Sequence, residues 1–578
     1  MKVADYLGKY LERQGVTHVF ELVGGMITFM LDSIAQNTDI KIVSMHHEQG
    51  AAFAAEGWAR MTGLPGVAFA TSGPGATNLL TGIGSCYFDS VPAVFITGQV
   101  NRHEQKGELA IRQLGFQETD IVSMVRPITK AVWQVQNPEE FPELLHRAFQ
   151  LALEGRPGPV LIDIPMDVQR VEIGEPEIPH AVRTMHSADQ KAQESFLTDL
   201  GIALQKSQKP LVLVGGGIRS AWAAKQFLQF AELIDVPVVW SLMGSDVMPY
   251  SHPLRVGMIG SYGNRWSNLA IGEADLLIVL GSRLDVRQTG ALAQEFKGDK
   301  PLFHVDIENA EMNNRVKGCQ TLVSHLSPFF DSATQNQNQW FQAKSYQNWL
   351  EKLKELQVTY SDTNELKDIQ GINPNTFVHL LTQYAARADA SALVVDVGQH
   401  QMWAAQSSEV QISQRFLTSG GMGSMGFALP AAIGAAFATR KPTVVIAGDG
   451  GFQCNIQELQ TIVRNNLPIK LIVINNKTHG MVRQFQQSYF KGRYQSTLDG
   501  YDAPDFVKVA EAYGIPSKSL SSDLILEQAL DWLWENPNTP QLLEVMVDTF
   551  TNVYPKIAFG QPISGMEPEF QPLEMEGT

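Results

Sequence analysis

PTVVIAGDGGFQ at 442–453 and IKLIVINNKTHG at 469–480 set the reading of this chain. Each is a short β-rich apolar run that stops at polar residues, as strands of a parallel sheet buried on both faces do. In open α/β sheets, ligands sit at the carboxyl ends of the strands. Asp449 and Asn476 lie 27 positions apart (476 − 449), about one strand–helix–strand crossover, so the spacing predicts that they meet at neighbouring strand ends. A carboxylate, an amide oxygen and a nearby main-chain carbonyl form a hard oxygen set suited to Mg²⁺ that keeps phosphate oxygens in its shell. Gly448, Gly450 and Gly451 let backbone N–H groups approach an anion ahead of a helix N-terminus. Read singly, GDGG is a tight turn and NN a helix cap. Together, at crossover spacing, they point to a metal–diphosphate site.

Working outward, similar runs fall into three blocks. The first holds PGVAFAT (65–71), PAVFITG (92–98) and PVLIDIP (159–165). The second holds KPLVLVGGG (209–217), VPVVWSLMG (236–244), ADLLIVLGSRLD (274–285) and PLFHVDI (301–307). The third adds ALVVDVGQ (392–399) to the opening pair. Strand runs alternating with helical patterns predict an α/β protein of three doubly wound parallel-sheet domains. The polar stretches 171–194 and 324–370 read as linkers. The expected units are 1–170, 190–335 and 370–550, with 551–578 as a tail that covers a site or frays.

A chain of 578 residues, 44% apolar and 18% charged, has several cores to fill. Its formal net charge of −16, without a Lys/Arg run, disfavours a nucleic-acid partner. Cys86, Cys319 and Cys454 show neither zinc spacing nor a disulfide framework. With no signal-peptide pattern and no long uncharged apolar stretch, the expected location is the cytoplasm, off the membrane.

In the first block, VSMHHEQGAAFAAEGWAR (43–60) follows a strand-like run and opens an alanine-rich helix, with Glu48 at the junction. Unaided, Glu48 reads as a capping carboxylate on a surface helix, and Glu56 and Arg60 as an i,i+4 pair. TSGPGATN (71–78) fails as a dinucleotide fingerprint, because Asn78 stands where the third glycine belongs.

GDG followed by NN at this distance resembles the diphosphate motif of thiamine-diphosphate (ThDP) enzymes. The strings HHEQGAAFAAEGWAR, SGPGATN, FQETDI, GRPGPVLIDIP, VDVGQHQMWAAQ, TSGGMGSMGFALPAAIGA, GDGGFQCNIQEL and NNKTHGMV extend the likeness over nearly the whole chain. Within that family they are most similar to acetolactate (acetohydroxyacid) synthase large subunits. The resemblance implies pyrimidine-binding, central and diphosphate-binding domains. It also implies a homodimer or homotetramer whose sites lie between subunits, and a small regulatory subunit. Mg²⁺ would be held by Asp449, Asn476 and the main-chain carbonyl of Thr478. ThDP would contact Gly24, Gly25, Glu48, Pro74, Asn78, Gly398, Gln399, His400, Gln401, Gly423, Ser424, Met425, Gly448, Asp449, Gly450, Gly451, Asn476, Thr478, Gly480 and Met481. Glu48 would promote proton loss from the cofactor's reactive carbon, and Met425 would prop the bent cofactor so that this transfer is effectively intramolecular. Gln117 would lie near the reacting centre, and Arg287 would receive the second substrate's carboxylate. The implied reaction is a transferase step of branched-chain amino-acid biosynthesis: pyruvate loses CO₂ and its two-carbon remainder joins a second 2-keto acid.

The resemblance also implies FAD in the central domain, contacted by Arg156, Gly215, Gly216, Gly217, Ser241, Leu242, Gly281, Arg283, Asp306 and Ile307. Against that, Tyr262 replaces a usual histidine and VSHLS (323–327) a usual Gly-Asp turn. At the substrate pocket, Met166 stands where synthases carry a lysine, Phe485 where they carry a tryptophan and Cys454 where they carry a methionine; Val23 replaces a proline. These departures leave the acceptor open to an aldehyde or a keto-sugar, and the reaction open to ending at decarboxylation.

Overall fold

The structure, a computed structural model, describes residues 1–366 and 368–573. The last five residues of the 551–578 tail therefore lie outside the described residues. Three six-stranded, all-parallel sheets follow one another along the chain. The first contains β1 (His18–Leu22), β2 (Lys41–Ser44), β3 (Gly66–Ala70), β4 (Ala93–Gln99), β5 (Ala131–Gln134) and β6 (Pro159–Pro165) in the order β2-β1-β3-β4-β6-β5. The second contains β7 (Pro210–Val214), β8 (Val238–Trp240), β9 (Arg255–Met258), β10 (Leu276–Leu280), β11 (Leu302–Asp306) and β12 (Gln320–Val323), in the order β12-β11-β10-β7-β8-β9. Read from its other edge, that is the 3-2-1-4-5-6 winding of dinucleotide-binding sheets. The third contains β13 (Ala392–Val395), β14 (Arg415–Thr418), β15 (Thr443–Gly448), β16 (Ile469–Asn475), β17 (Ser517–Leu520) and β18 (Gln541–Met546), ordered β14-β13-β15-β16-β18-β17.

The three units share cores. One apolar cluster spans the first and third sheets, and another spans the second and third. The first is built around two small-residue helices, Glu48–Thr62 and Ala428–Thr439, which follow β2 and β14. A Cβ on Gly57 would lie 2.0 Å from the Ala431 carbonyl oxygen, and one on Gly434 would lie 1.9 Å from that of Ala54. Those pairings run antiparallel, and only glycine permits them. The Glu48 helix is thus a buried strut, which its residues read without the family resemblance do not indicate.

Two further expectations are corrected. Much of 324–370 is helical: Leu326–Gln335 and Gln347–Thr359 pack on the central sheet, and Trp349 Nε1 donates to the Pro210 carbonyl at 3.1 Å. The charged segment NWLEKLKELQ (348–357) already reads as helical in the sequence; its polar setting suggested a linker because its few large apolar residues are confined to one stripe. Of the two readings of the tail, fraying does not describe residues 553–573: Lys556–Ile557 pairs with Met566–Glu567 and Ile557 N donates to the Ser261 carbonyl at 2.8 Å. No helix among the described residues is long and apolar enough to cross a membrane.

Candidate active site

β15 and β16 run parallel with Gly448 beside Ile474, so Asp449 and Asn476 leave adjacent strand ends, both buried. The Tyr501 hydroxyl donates to Asp449 Oδ2 at 3.0 Å, and the main chain at Gly450 and Thr478 faces the same carboxylate. Burial outweighs those bonds and pushes the Asp449 carboxyl up to about 6. Asn476 Nδ2 donates to Gln399 Oε1 at 2.9 Å, which fixes the amide; its Oδ1 accepts no hydrogen bond from a described residue. A buried carboxylate beside an amide oxygen without a protein donor is what a hard divalent cation completes. Among the described residues there is no cluster of three or more His, Cys, Asp or Glu, and this donor set does not require one.

The surrounding backbone is pressed against side chains at several glycines. A Cβ on Gly480 would lie 1.9 Å from Gln399 Oε1, and one on Gly450 would meet His479 and Met425. Gly398 and Gly448 flank the His400 ring. Burial drives His400 down to about 3, so the ring is neutral, and its buried Nε2 has no partner. Gln401 Nε2 donates to Thr418 Oγ1 at 2.7 Å, and Met481 follows Gly480 at the start of the next helix. The Gly423–Ser424–Met425 loop is held by Asp396, whose two oxygens accept from Gly426 N (3.0 Å) and Ala428 N (2.9 Å). Asp396 and Tyr501 were not among the sequence candidates. Asp396 ends an apolar run as Asp449 does, a usable signal; Tyr501 lies 52 positions beyond Asp449, with none.

In the first unit, His47 caps the helix by accepting from Gln49 N, leaving Glu48 as its first residue with a buried side chain. Glu48 Oε2 accepts from Asn78 Nδ2 at 2.9 Å, while Gly75 packs on Oε1. Pro74 opens the short helix that carries Asn78. Gln117 sits over this turn at φ +65°, a conformation costly for a side-chain-bearing residue, and its carbonyl accepts from Ser72 Oγ at 2.6 Å. Gly24 packs on Thr71, and nothing crowds Gly25. The expected i,i+4 pair is present and buried: Arg60 meets Glu56 at 2.5 Å and also Asp89 at 2.9 Å.

Within the chain the Glu48 junction touches the segment after GDGGFQ: His46 N donates to Glu458 Oε1 at 2.9 Å, and Asn455 Nδ2 to Gln49 Oε1 at 3.1 Å. Around the two halves, Val23 (60%), Phe116 (80%) and Met425 (36%) remain exposed. Phe485 packs at a tilt against Tyr489 (4.7 Å between ring centroids) and Phe490 (5.8 Å), and Tyr489 meets Phe559 of the tail. Met166 opens the short helix after β6. Cys454 is exposed.

A separate cleft enclosing about 1730 Å³, partly open to solvent, runs over the ends of the central strands. It crosses the β7/β10 switch point, where an elongated ligand fits an open sheet. Gly216, Gly217, Ser241, Leu242, Gly281, Arg283, Asp306, Ile307, Arg156, Tyr262 and Arg287 line it. Gly215 is not in this wall; it packs on Gly281. Arg156 is committed to Glu308 (2.9 Å) and Glu311 (2.8 Å).

Models of the thiamine pyrophosphate enzyme N-terminal TPP binding domain, central domain and C-terminal TPP binding domain match residues 1–124, 198–332 and 396–545. The chain belongs to this family and is a ThDP-dependent enzyme. It is 38% identical to the acetolactate synthase isozyme 2 large subunit of Escherichia coli K12, over 98% of this chain and 99% of that one. It is 36% identical to a probable acetolactate synthase large subunit of Methanocaldococcus jannaschii (95% and 92%), and 37% identical to the chloroplastic acetolactate synthase of Arabidopsis thaliana (97% and 83%).

Proposed function

We propose that this enzyme decarboxylates pyruvate and joins the two-carbon remainder to a second 2-keto acid, giving acetolactate when that acid is pyruvate. The observation that carries the reading is the pairing of Asp449 and Asn476 at adjacent strand ends. Asp449, Asn476 and the Thr478 carbonyl would hold Mg²⁺, with Gly398–Gln401, Gly423, Ser424 and Gly480 around the diphosphate. When bound, ThDP supplies the electron sink that lets a keto acid lose CO₂. Glu48 would share a proton with the pyrimidine ring through Oε1, since Oε2 is committed to Asn78. Arg287 would take the acceptor's carboxylate in two parallel hydrogen bonds. Phe485, with its aromatic neighbours, and the uncharged Met166 would form the apolar side of that pocket. The exposed apolar residues beside each half support assembly as a homodimer or homotetramer that pairs Glu48 of one copy with Asp449 of another. A small regulatory subunit is part of the same proposal.

The size of the central cleft and its place over the switch point support an elongated dinucleotide, FAD, as its ligand. The holoenzyme is to be supplied with pyruvate, alone and with 2-keto acid, aldehyde and keto-sugar acceptors, and its products identified by mass. Acetolactate, with two pyruvates consumed per CO₂ released, is the expected result. No ThDP-dependent CO₂ release from any of several 2-keto acids would reject the reading. Condensation only with an aldehyde or sugar would move the acceptor, as Met166 and Phe485 motivate.

A further inference from the structure

A second cavity, partly open to solvent and holding about 900 Å³ of space, lies between the central and C-terminal units, and its wall includes neither the ThDP candidates nor the cleft residues named above. Arg255, at the start of β9, forms one side. Its guanidinium sits 4.1 Å from the Trp240 ring centroid and 5.0 Å from that of Tyr250. Its Nε is buried without an acceptor, and among the described residues the side chain has no ion-pair partner. Burial lowers its pKa to about 10, well within the charged range at neutral pH. A cation held between two rings and left without an acceptor is costly unless something in the cavity completes it.

A second charged group lines the same cavity. His379 bridges Asp362 (2.9 Å) and Glu409 (3.1 Å), and Gln383 donates to Glu409 at 3.0 Å. Despite burial, the two carboxylates raise His379 to about 9, so the trio carries one residual negative charge at neutral pH. The cavity therefore presents a guanidinium without a hydrogen-bond acceptor and, near enough for the two to attract, a net negative acceptor group; Thr376, Gln357 and Leu380 also line it.

We propose that this cavity binds a small carboxylic acid bearing a hydrogen-bond donor at its far end, an ammonium or hydroxyl. The carboxylate would dock on Arg255 and the donor would face Glu409 and Asp362. Neither a bare anion nor a bare cation satisfies both groups.

The test is thermal stabilisation of the ThDP–Mg²⁺ holoenzyme titrated with 4-aminobutyrate, butyrate and butylamine. Saturable stabilisation by 4-aminobutyrate is expected, with butyrate and butylamine each at least about fivefold weaker. Arg255→Met should weaken it at least about tenfold, the size of losing hydrogen bonds to a charged group. Thr376→Phe, which narrows the cavity and leaves Arg255 in place, should weaken it to a similar extent and covers the case in which the arginine variant does not fold. Arg287→Gln should leave it unchanged. Absence of saturable stabilisation, or a response that survives Arg255→Met or Thr376→Phe, would overturn the proposal.

Discussion

The first and third sheets are wound identically, each in the order 2-1-3-4-6-5 when its strands are counted from its own start. The correspondence reaches side chains. In the first unit, Gln99 of β4 donates to Asp163 of β6 at 3.1 Å; in the third, Asn475 of β16 donates to Glu544 of β18 at 2.8 Å. The helix after the second strand of each unit is the one that packs against its counterpart. What differs is the residue at each strand end. The third unit offers Asp449 and Asn476, oxygen donors for a cation. The first offers one carboxylate, Glu48, steadied by a single amide. The winding places ligand positions and the local residues decide the chemistry: in our reading, the third unit holds the cofactor and the first activates it.

That division can be broken by experiment. Glu48→Gln keeps the hydrogen-bond geometry and removes the base; turnover should fall about 10²–10⁴-fold, with ThDP affinity, read by tryptophan quenching, changed little. A matching loss of affinity would erase the distinction between the units. Asp449→Ala should do the reverse, weakening Mg²⁺-dependent ThDP binding by more than about 100-fold, beyond the usual cost of outer-shell changes.

A third probe concerns the shared amide–acid tie. Burial raises Asp163 to about 6, against the hydrogen bonds from Gln134, Thr97 and Gln99. A folded value above the unfolded one means that the group supports folding most at low pH. That contribution is lost as pH rises through about 6. In denaturation curves from pH 4 to 7 the loss should be about 2 kcal/mol smaller in Asp163→Asn than in the wild type, the remainder coming from other buried acids such as Asp449. The smallest effect is expected from Asn78→Ala, a fall in turnover of about tenfold through a less steady Glu48, with cofactor affinity preserved.

The sequence was most legible where strands are buried on both faces. All ten apolar runs picked out correspond to strands, and the Asp449/Asn476 spacing gave their adjacency. Among the strands passed over, the edge strands β12 and β17 are half polar, with one buried residue each. β18 is internal yet escaped notice, since Gln541 and Glu544 interrupt it to serve Lys470 and Asn475 on the neighbouring strand. Glu48 could not be told from a cap on a surface helix, because the helix it opens is buried against one nearly four hundred residues away, contact that no local pattern encodes. Tyr501 was hidden for the same reason.

The most direct test of the two-unit account mixes Glu48→Gln and Asp449→Ala chains, each inactive alone, after dissociation and reassembly. Subunits exchanging at random should recover about a quarter of the wild-type rate, because half of the dimers are mixed and each mixed dimer has one intact site between copies. No recovery, with mixed dimers verified by mass, would contradict the claim that the first unit of one copy completes the third unit of another.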